Sequence, residues 1–124
     1  MECIVFLINY FFVMPLISIS TTENVIDKDK LLKNASRLLS DLTNKSENFV
    51  MVKLIESLPM YFASSNKPCC FIEIDSIGSL DPSKMAKIIC EFVLSELEIQ
   101  KDRIYIRFQD VEPSMWGWNG KTFG

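Results

Sequence analysis

Four segments of the chain have the residue pattern of β-strands. They are residues 16–21, 49–55, 70–75 and 103–108. In the first and third segments apolar and polar residues alternate, which is the period of a strand with one buried face. Residues 56–68 contain Pro59, Pro68 and a Ser-Ser-Asn cluster, so we predict that this stretch is irregular.

Two further segments have helical spacing. In the first, apolar residues recur from Leu31 to Leu42, with a start expected within residues 24–27 and an end at the polar residues 43–46. In the second, we expect Asp81 to cap the helix and Pro82 to take its first position, where proline is tolerated. Its predicted buried face consists of Met85, Ile88, Ile89, Phe92, Val93 and Leu97.

The resulting order, β-α-β-β-α-β, predicts an α+β fold with two similar halves. A strand-helix-strand unit needs parallel strands and a right-handed crossover, which puts both helices on one face of a four-stranded mixed sheet. We expect the other face to be apolar as well, carried by alternate residues of all four strands. In a short chain such a face requires a cover, and another subunit is the expected one.

Composition narrows the classes of function. The chain has 124 residues, 48% of them hydrophobic and 23% charged, which is typical of one globular domain. The net charge of -3, without a basic stripe, argues against nucleic-acid binding. Histidine is absent, which excludes Ser-His and Cys-His catalysis and any histidine-ligated metal site.

The cysteines indicate buried thiols and no metal site. Cys3, Cys69, Cys70 and Cys90 include no CxxC spacing, and a bridge between the adjacent Cys69 and Cys70 would be strained. We therefore expect free structural thiols in a reducing compartment, with no zinc site and no disulfide framework.

Residues 1–13 are strongly apolar and allow three interpretations. A signal peptide normally has a positive start and small residues at its cleavage site, whereas this segment carries Glu2 and ends in Phe12 and Val13. A membrane span needs about 20 apolar residues, more than are present before Asn9 and Pro15 interrupt the run. We favour the third interpretation, in which translation starts at Met14. The chain then divides into an extension, 1–13, and a domain, 14–124.

Several short motifs occur together, in the same order, in one known protein family. Residues 14–21 resemble an initiator Met-Pro and first strand, and residues 44–52 resemble a loop lysine and the strand that follows it. Residues 76–78, Ser-Ile-Gly, 102–106, Asp-Arg-Ile-Tyr-Ile, and the tail motifs Trp-Gly-Trp-Asn-Gly and Thr-Phe also match. Together, over residues 14–124, they resemble the macrophage migration inhibitory factor and D-dopachrome tautomerase family.

The chain also departs from that family. The usual Phe-Gly-Gly turn is Phe62-Ala63-Ser64 here, and the mammalian CxxC is absent, which removes the basis for a thiol-oxidoreductase activity. An asparagine common in the fourth strand is Arg107 here. This residue is either an exposed strand charge or a second carboxylate clamp, for which a guanidinium fork is well suited.

The resemblance implies an isomerase, a keto–enol tautomerase of phenylpyruvate or dopachrome type. Pro15 would be the general base, provided that it becomes the N-terminus, because an α-amine titrates near 8 whereas an internal proline nitrogen is an amide. Lys45 would bind the substrate carboxylate. The remaining substrate-binding residues would be Ile77, Tyr105, Arg107, Phe49, Trp116, Trp118 and Phe123.

The resemblance further implies a homotrimer with three sites at its interfaces, where Tyr105 of one subunit packs by the proline of the next. Neither a cofactor nor a metal is expected. The alternatives are a secreted, cytokine-like protein that binds a cell-surface receptor with a vestigial pocket, and a membrane-tethered trimer that retains residues 1–13.

The expected location is the cytoplasm, with export that needs no signal peptide. The N-glycosylation sequons at Asn34 and Asn44 disfavour the conventional secretory route. Asn34 falls within a predicted helix, and a glycan on Asn44 would crowd Lys45.

Overall fold

A four-stranded mixed sheet forms the centre of the computed structural model, which describes residues 14–124; the predicted extension, 1–13, lies outside the described residues. The strands are β1 (Pro15–Thr21), β2 (Met51–Ile55), β3 (Cys70–Ser76) and β4 (Ile104–Asp110), in the spatial order β2-β1-β3-β4. Strand β1 is parallel to β2 and antiparallel to β3, and β3 is parallel to β4. The predicted order and the mixed sheet are confirmed.

Two helices cover one face of this sheet. Helix α1 (Lys28–Thr43) begins where the Asp27 carboxylate accepts a hydrogen bond from the Lys30 amide, and it ends at the left-handed Asn44. Helix α2 (Pro82–Leu97) has its proline in the first turn, as predicted. Asp81 occupies the cap position but its side chain makes no capping hydrogen bond, so the expected role of that carboxylate is wrong.

The core lies between the helices and one sheet face. Ile17, Ile19, Ile72 and Ile74 alternate along β1 and β3 and are at most 1% exposed. The buried helix residues that pack with them are Ala35, Leu39, Met85, Ile89 and Val93. Because every second residue of these strands is buried, the strands could be recognised in the sequence from their alternating apolar residues.

The opposite face of the sheet is mixed in polarity, and the expectation of an apolar face is wrong. Leu16, Met51, Phe71 and Tyr105 do lie there, because their strand neighbours point into the core. The polar residues on the same face are Ser18, Ser20, Lys53, Glu73, Asp75, Arg107 and Gln109. Strand spacing sets which face a residue takes but not its chemistry.

Two strands begin later than their patterns predicted. Glu47–Phe49 forms a 3₁₀ turn before β2, and Lys101–Arg103 forms another before β4. Arg103 therefore does not continue the strand face of Tyr105. Its guanidinium donates instead to the carbonyl oxygens of Phe62 and Lys67, at 2.6 and 2.8 Å, and more weakly to two others in the 62–68 loop.

The tail folds back toward the start of β1. A 3₁₀ turn at Pro113–Met115 leads into a hairpin of β5 (Gly117–Trp118) and β6 (Lys121–Thr122). The Phe123 amide donates to the carbonyl oxygens of Pro113 and Trp116 at 3.1 and 3.2 Å, which closes the tail on itself. Within residues 14–124 no helix is long and apolar enough to cross a membrane.

Candidate active site

A cleft of about 630 Å³ opens at the start of β1, beside the tail hairpin. It brings together four of the predicted site residues: Pro15, Phe49, Trp116 and Trp118. The other described residues that line it are Met14, Leu16, Asn48, Val50, Met51, Asp75, Val111, Met115 and Gly117. A mainly apolar cleft of this size suits a small aromatic molecule.

Pro15 is the first residue of β1 and lies directly opposite Ser76 of β3. Its side chain is less than 2% exposed. In this chain its nitrogen is part of the peptide bond with Met14, so it has no basic lone pair. The residue is therefore held in the cleft by a strand pairing, but it has no basic nitrogen while Met14 is attached.

Met14 fills apolar space next to Pro15. It is 8% exposed, with a left-handed φ of 74° that side-chain-bearing residues rarely adopt. It forms a buried cluster with Ile77 and Phe123, against which Phe49 and Trp116 pack. Four predicted substrate-binding residues thus surround the Met14 side chain.

Aromatic side chains build the wall of the cleft from two distant parts of the sequence. The Trp118 ring lies edge-on to Phe49 with centroids 6.0 Å apart, and it stacks on Phe123 at 6.2 Å. Such offset and edge-to-face pairs are the favourable arrangements of aromatic rings. The tail hairpin and the turn before β2 therefore hold each other in place.

Lys45 lies behind this wall. It is 2% exposed, and its Nζ donates to the Ile77 carbonyl oxygen at 3.3 Å. Burial lowers the pKa of the ammonium group below its ordinary value, because a low-dielectric surrounding disfavours the charge. Lys45 adjoins the cleft residues through Ile77 but is not among those that line the cleft.

Tyr105 and Arg107 lie away from Pro15 within one chain. Ser76, opposite Pro15, pairs with Asp110, which Tyr105 precedes by five residues on β4. At about 3.3 Å per residue this offset is about 16 Å. Tyr105 is 64% exposed and packs on the Phe62 ring, with centroids 4.7 Å apart.

The Arg107 guanidinium is paired within its own sheet face. It binds the Glu73 carboxylate at 2.7 Å and lies over the Phe71 ring, 5.6 Å from its centroid. Both partners are on the neighbouring strand β3. Within a single chain, this exposed cross-strand pair supports the interpretation of Arg107 as an exposed strand charge.

Sequence reasoning missed Asp75, the one titratable side chain among the described residues that line the cleft. It also missed Met51, Val111 and Met115, which stand at the cleft. Asp75 could have been found from the strand period, because it alternates with the buried Ile74 and Ser76 just before the Ser-Ile-Gly motif. Nothing local pointed to the other three.

Cys69 and Cys70 are buried and are not among the residues that line the cleft, and Cys90 is partly buried in α2. Cys69 and Cys70 are 1% and 3% exposed, and burial raises the pKa of the Cys70 thiol to about 12. A thiol with so high a pKa is a poor nucleophile at neutral pH. Across residues 14–124 no cluster of acidic and cysteine side chains could hold a metal ion.

The family model described as macrophage migration inhibitory factor (MIF) matches residues 14–124. The chain is 34% identical over 116 residues to the macrophage migration inhibitory factor homolog of Brugia malayi, covering 90% of this chain and 100% of that protein. It is 31% identical over 98 residues to the Xenopus tropicalis macrophage migration inhibitory factor, covering 77% and 85% of the two chains.

Solved structures agree. The macrophage migration inhibitory factor homologue from Prochlorococcus marinus is 40% identical and superposes with a TM-score of 0.84, over 88% of this chain and 99% of that one. The corresponding protein of Trichinella spiralis is 26% identical, with a TM-score of 0.82 over 86% and 98%.

Proposed function

This chain belongs to the macrophage migration inhibitory factor family, and we propose that it is a keto–enol tautomerase of aromatic α-keto acids once Pro15 is its N-terminal residue. The observation that carries the proposal is the position of Pro15, at the head of β1 in an aromatic-walled cleft of about 630 Å³. A cyclic amine there would be the base of a site that has no histidine.

The proposed reaction is a proton transfer in two steps. The neutral Pro15 amine takes a proton from the carbon next to the substrate carbonyl, and the electrons of that bond form the enolate. The resulting ammonium returns that proton to the enolate oxygen, which gives the enol tautomer and restores the amine; conversion of an enol to the keto acid runs through the same two steps in reverse. An α-amine has a pKa of roughly 7.7–8.0, and partial burial lowers it, so the free base is available at neutral pH.

Removal of Met14 would prepare the site in two ways. It converts the Pro15 nitrogen from an amide to a secondary amine, and it vacates the apolar space between Ile77 and Phe123. A substrate in that space would lie next to the Ile77 carbonyl oxygen, which accepts a hydrogen bond from the Lys45 ammonium group. Lys45 would then supply the cation for the substrate carboxylate.

We further propose a homotrimer whose sites are completed by a neighbouring subunit. Tyr105 is 64% exposed and lies on β4, an edge strand of the sheet. Since it is about 16 Å along the strand direction from Pro15 in its own chain, it can contribute to a tautomerase site only across an interface. Sedimentation equilibrium at micromolar concentration should give three times the chain mass, and a monomer mass would end this proposal.

If residues 1–14 stay attached, we propose a second function instead, that of a cytokine-like protein which binds a cell-surface receptor. With Met14 attached, the Pro15 nitrogen is an amide and Met14 occupies the cluster beside it. Such a chain would fold without a catalytic base. Cytoplasmic residence with export that needs no signal peptide suits either function.

The test compares two chains with phenylpyruvate as substrate. The first begins at Pro15, after removal of the initiating Met14, and the second begins at Met1; mass spectrometry verifies both N-termini after the assay. We expect kcat/KM to be at least about 100-fold higher for the chain that begins at Pro15, the usual contribution of a positioned base. Pro15→Gly in that chain keeps a primary amine and should also lose rate while retaining its fold. Equal activity of the two intact chains would refute the proline mechanism.

A further inference from the structure

Asp75 introduces a negative charge into an otherwise uncharged cleft wall. It lies on β3 opposite Leu16, one residue before Ser76, which faces Pro15. The side chain is half-buried and lines the cleft together with Pro15 and the two tryptophans. Asp75 is therefore part of the wall around the volume that a bound ring would occupy.

Asp75 takes part in none of the salt bridges that the structure shows within residues 14–124 of its own chain. These join Lys28 to Glu56, Lys33 to Asp29 and Arg107 to Glu73. The cross-strand neighbours of Asp75 are Leu16 on β1 and Gln109 on β4. Both are uncharged, so neither of these strand neighbours forms an ion pair with Asp75, and its carboxylate can accept from a cationic ligand.

Neighbouring charged groups are engaged elsewhere. Glu73, two residues back on the same face, is held by Arg107. Asp110 accepts from the Gly78 amide at 2.9 Å, and Lys45 donates to the Ile77 carbonyl. Asp75 is thus the one charged side chain among the described residues that line the cleft.

We propose that Asp75 is a specificity-determining residue of this cleft, which favours keto acids whose ring carries a hydrogen-bond donor, above all a cation, over those whose ring carries a second carboxylate. The inference rests on the proposed tautomerase function and deepens it. The keto-acid end of the substrate, itself anionic, is directed away from Asp75 and toward the Ile77 side. When a ligand binds, Asp75 loses hydrogen bonds from water, and a hydrogen-bond donor on the ring replaces them. A carboxylate on the ring is instead repelled by the like charge of Asp75.

The test uses the chain that begins at Pro15 and three kinds of substrate. These are phenylpyruvate and phenylpyruvates that carry a guanidinium or a carboxylate group at ring position 3 or 4. For at least one ring position, kcat/KM should be about tenfold or more higher with the guanidinium than with the carboxylate, since charge-assisted hydrogen bonds are the strong ones. Asp75→Asn should reduce this ratio by about tenfold.

Two variants control for general effects of charge and fold. Asp75→Glu keeps the carboxylate and should keep the preference. Asp41→Asn makes the same chemical change on an exposed residue of α1, which covers the sheet face opposite that of Asp75, and should leave the ratio unchanged. If Asp75→Asn leaves the ratio as it is at both ring positions, or if Asp41→Asn shifts it equally, the assignment is overturned.

A binding measurement separates this inference from the proposed function. Phenylacetates with the same ring substituents cannot be tautomerised, and the fluorescence of Trp116 and Trp118 at the cleft reports their binding. A chain that turns over no keto acid would refute the tautomerase proposal, while a guanidinium preference that disappears in Asp75→Asn would still support the role of Asp75. Equal binding of both phenylacetates to the parent chain would overturn it.

Discussion

Lys45 donates from its Nζ to the carbonyl oxygen of Ile77 at 3.3 Å, and the two residues are 2% and 7% exposed. This contact ties the loop after α1 to the segment after β3, 32 residues away. A lysine in a polar loop would otherwise extend into water. Its buried end therefore sets a cation behind the cleft wall that contains Pro15.

Lys45→Ala is expected to raise KM for phenylpyruvate by about tenfold and to leave kcat nearly unchanged. The lysine would contact the substrate carboxylate both before and during proton transfer, so its loss weakens ground state and transition state alike. Steady-state kinetics of the chain that begins at Pro15 measure this. Lys53→Ala, which removes an exposed lysine of β2, should change neither constant. A fall in kcat at constant KM would contradict the assignment.

Stability should rise with pH in the alkaline range because of Lys45. Burial lowers its pKa in the folded chain, so between that value and 10.5 the unfolded chain binds more protons than the folded chain. The free energy of unfolding therefore increases with pH in this window, and the contribution is complete above 10.5. Urea unfolding from pH 7 to 10.5 should show a weaker rise in Lys45→Met than in the parent. Parallel pH curves would show that Lys45 is not the cause.

Arg103 should matter more for stability than Arg107. Arg103 donates to four carbonyl oxygens of the 62–68 loop, whereas Arg107 makes an exposed pair with Glu73. We expect Arg103→Ala to lower the free energy of unfolding by roughly 2–4 kcal/mol, because it leaves several carbonyls without a donor. Arg107→Ala should cost less than about 1 kcal/mol. Urea unfolding of both variants, monitored by circular dichroism, measures the two losses of stability. Equal losses would contradict the prediction and would mean that an interface buries Arg107.

Ser76 and Thr21 offer a matched pair of buried hydroxyls. Both residues are 0% exposed, but the Ser76 hydroxyl has no hydrogen-bond partner in the described part of the chain, whereas Thr21 donates to the Cys69 carbonyl at 3.1 Å. Ser76→Ala should therefore leave the protein as stable or stabilise it by up to about 1 kcal/mol. Thr21→Val should cost about 1–3 kcal/mol. Thermal unfolding of the two variants checks this, and a large loss in Ser76→Ala would reveal a hidden partner.

The thiols of Cys69 and Cys70 should be structural. Because the pKa of Cys70 is raised to about 12, almost no thiolate exists at pH 8, and iodoacetamide should modify Cys70 only after unfolding. The double variant Cys69→Ala, Cys70→Ala should keep its kcat/KM. Mass spectrometry of the alkylated native chain and kinetics of the variant test the two statements. Loss of activity in a folded double variant would show a catalytic role for the pair.

Two candidate site residues could be predicted because the family motifs that contain them are short and local. Pro15 follows a methionine and begins an alternating strand, and Ile77 stands in the Ser-Ile-Gly motif. The residues that identify Pro15 and Ile77 are their immediate neighbours in the sequence, so no contact between distant segments was needed to find them. Phe49 and Trp118 were predicted from the family resemblance alone, since their contact at 6.0 Å joins segments 69 residues apart.

The strand and helix order, the core isoleucines and the family were determined by the sequence itself. Each depends on the spacing of residues within a single segment or on a short motif, and backbone geometry converts that spacing directly into a buried face. No further contact between distant segments is needed to establish them.

Only the tertiary structure decided how the remaining side chains are used. It brought Asp75 into the cleft, buried Lys45 against Ile77, and turned Arg103 toward the 62–68 loop. It also separated Tyr105 from Pro15 by the length of β4. These outcomes follow from strand register and from the path of loops between residues that are far apart in sequence, and local periodicity carries no information about either.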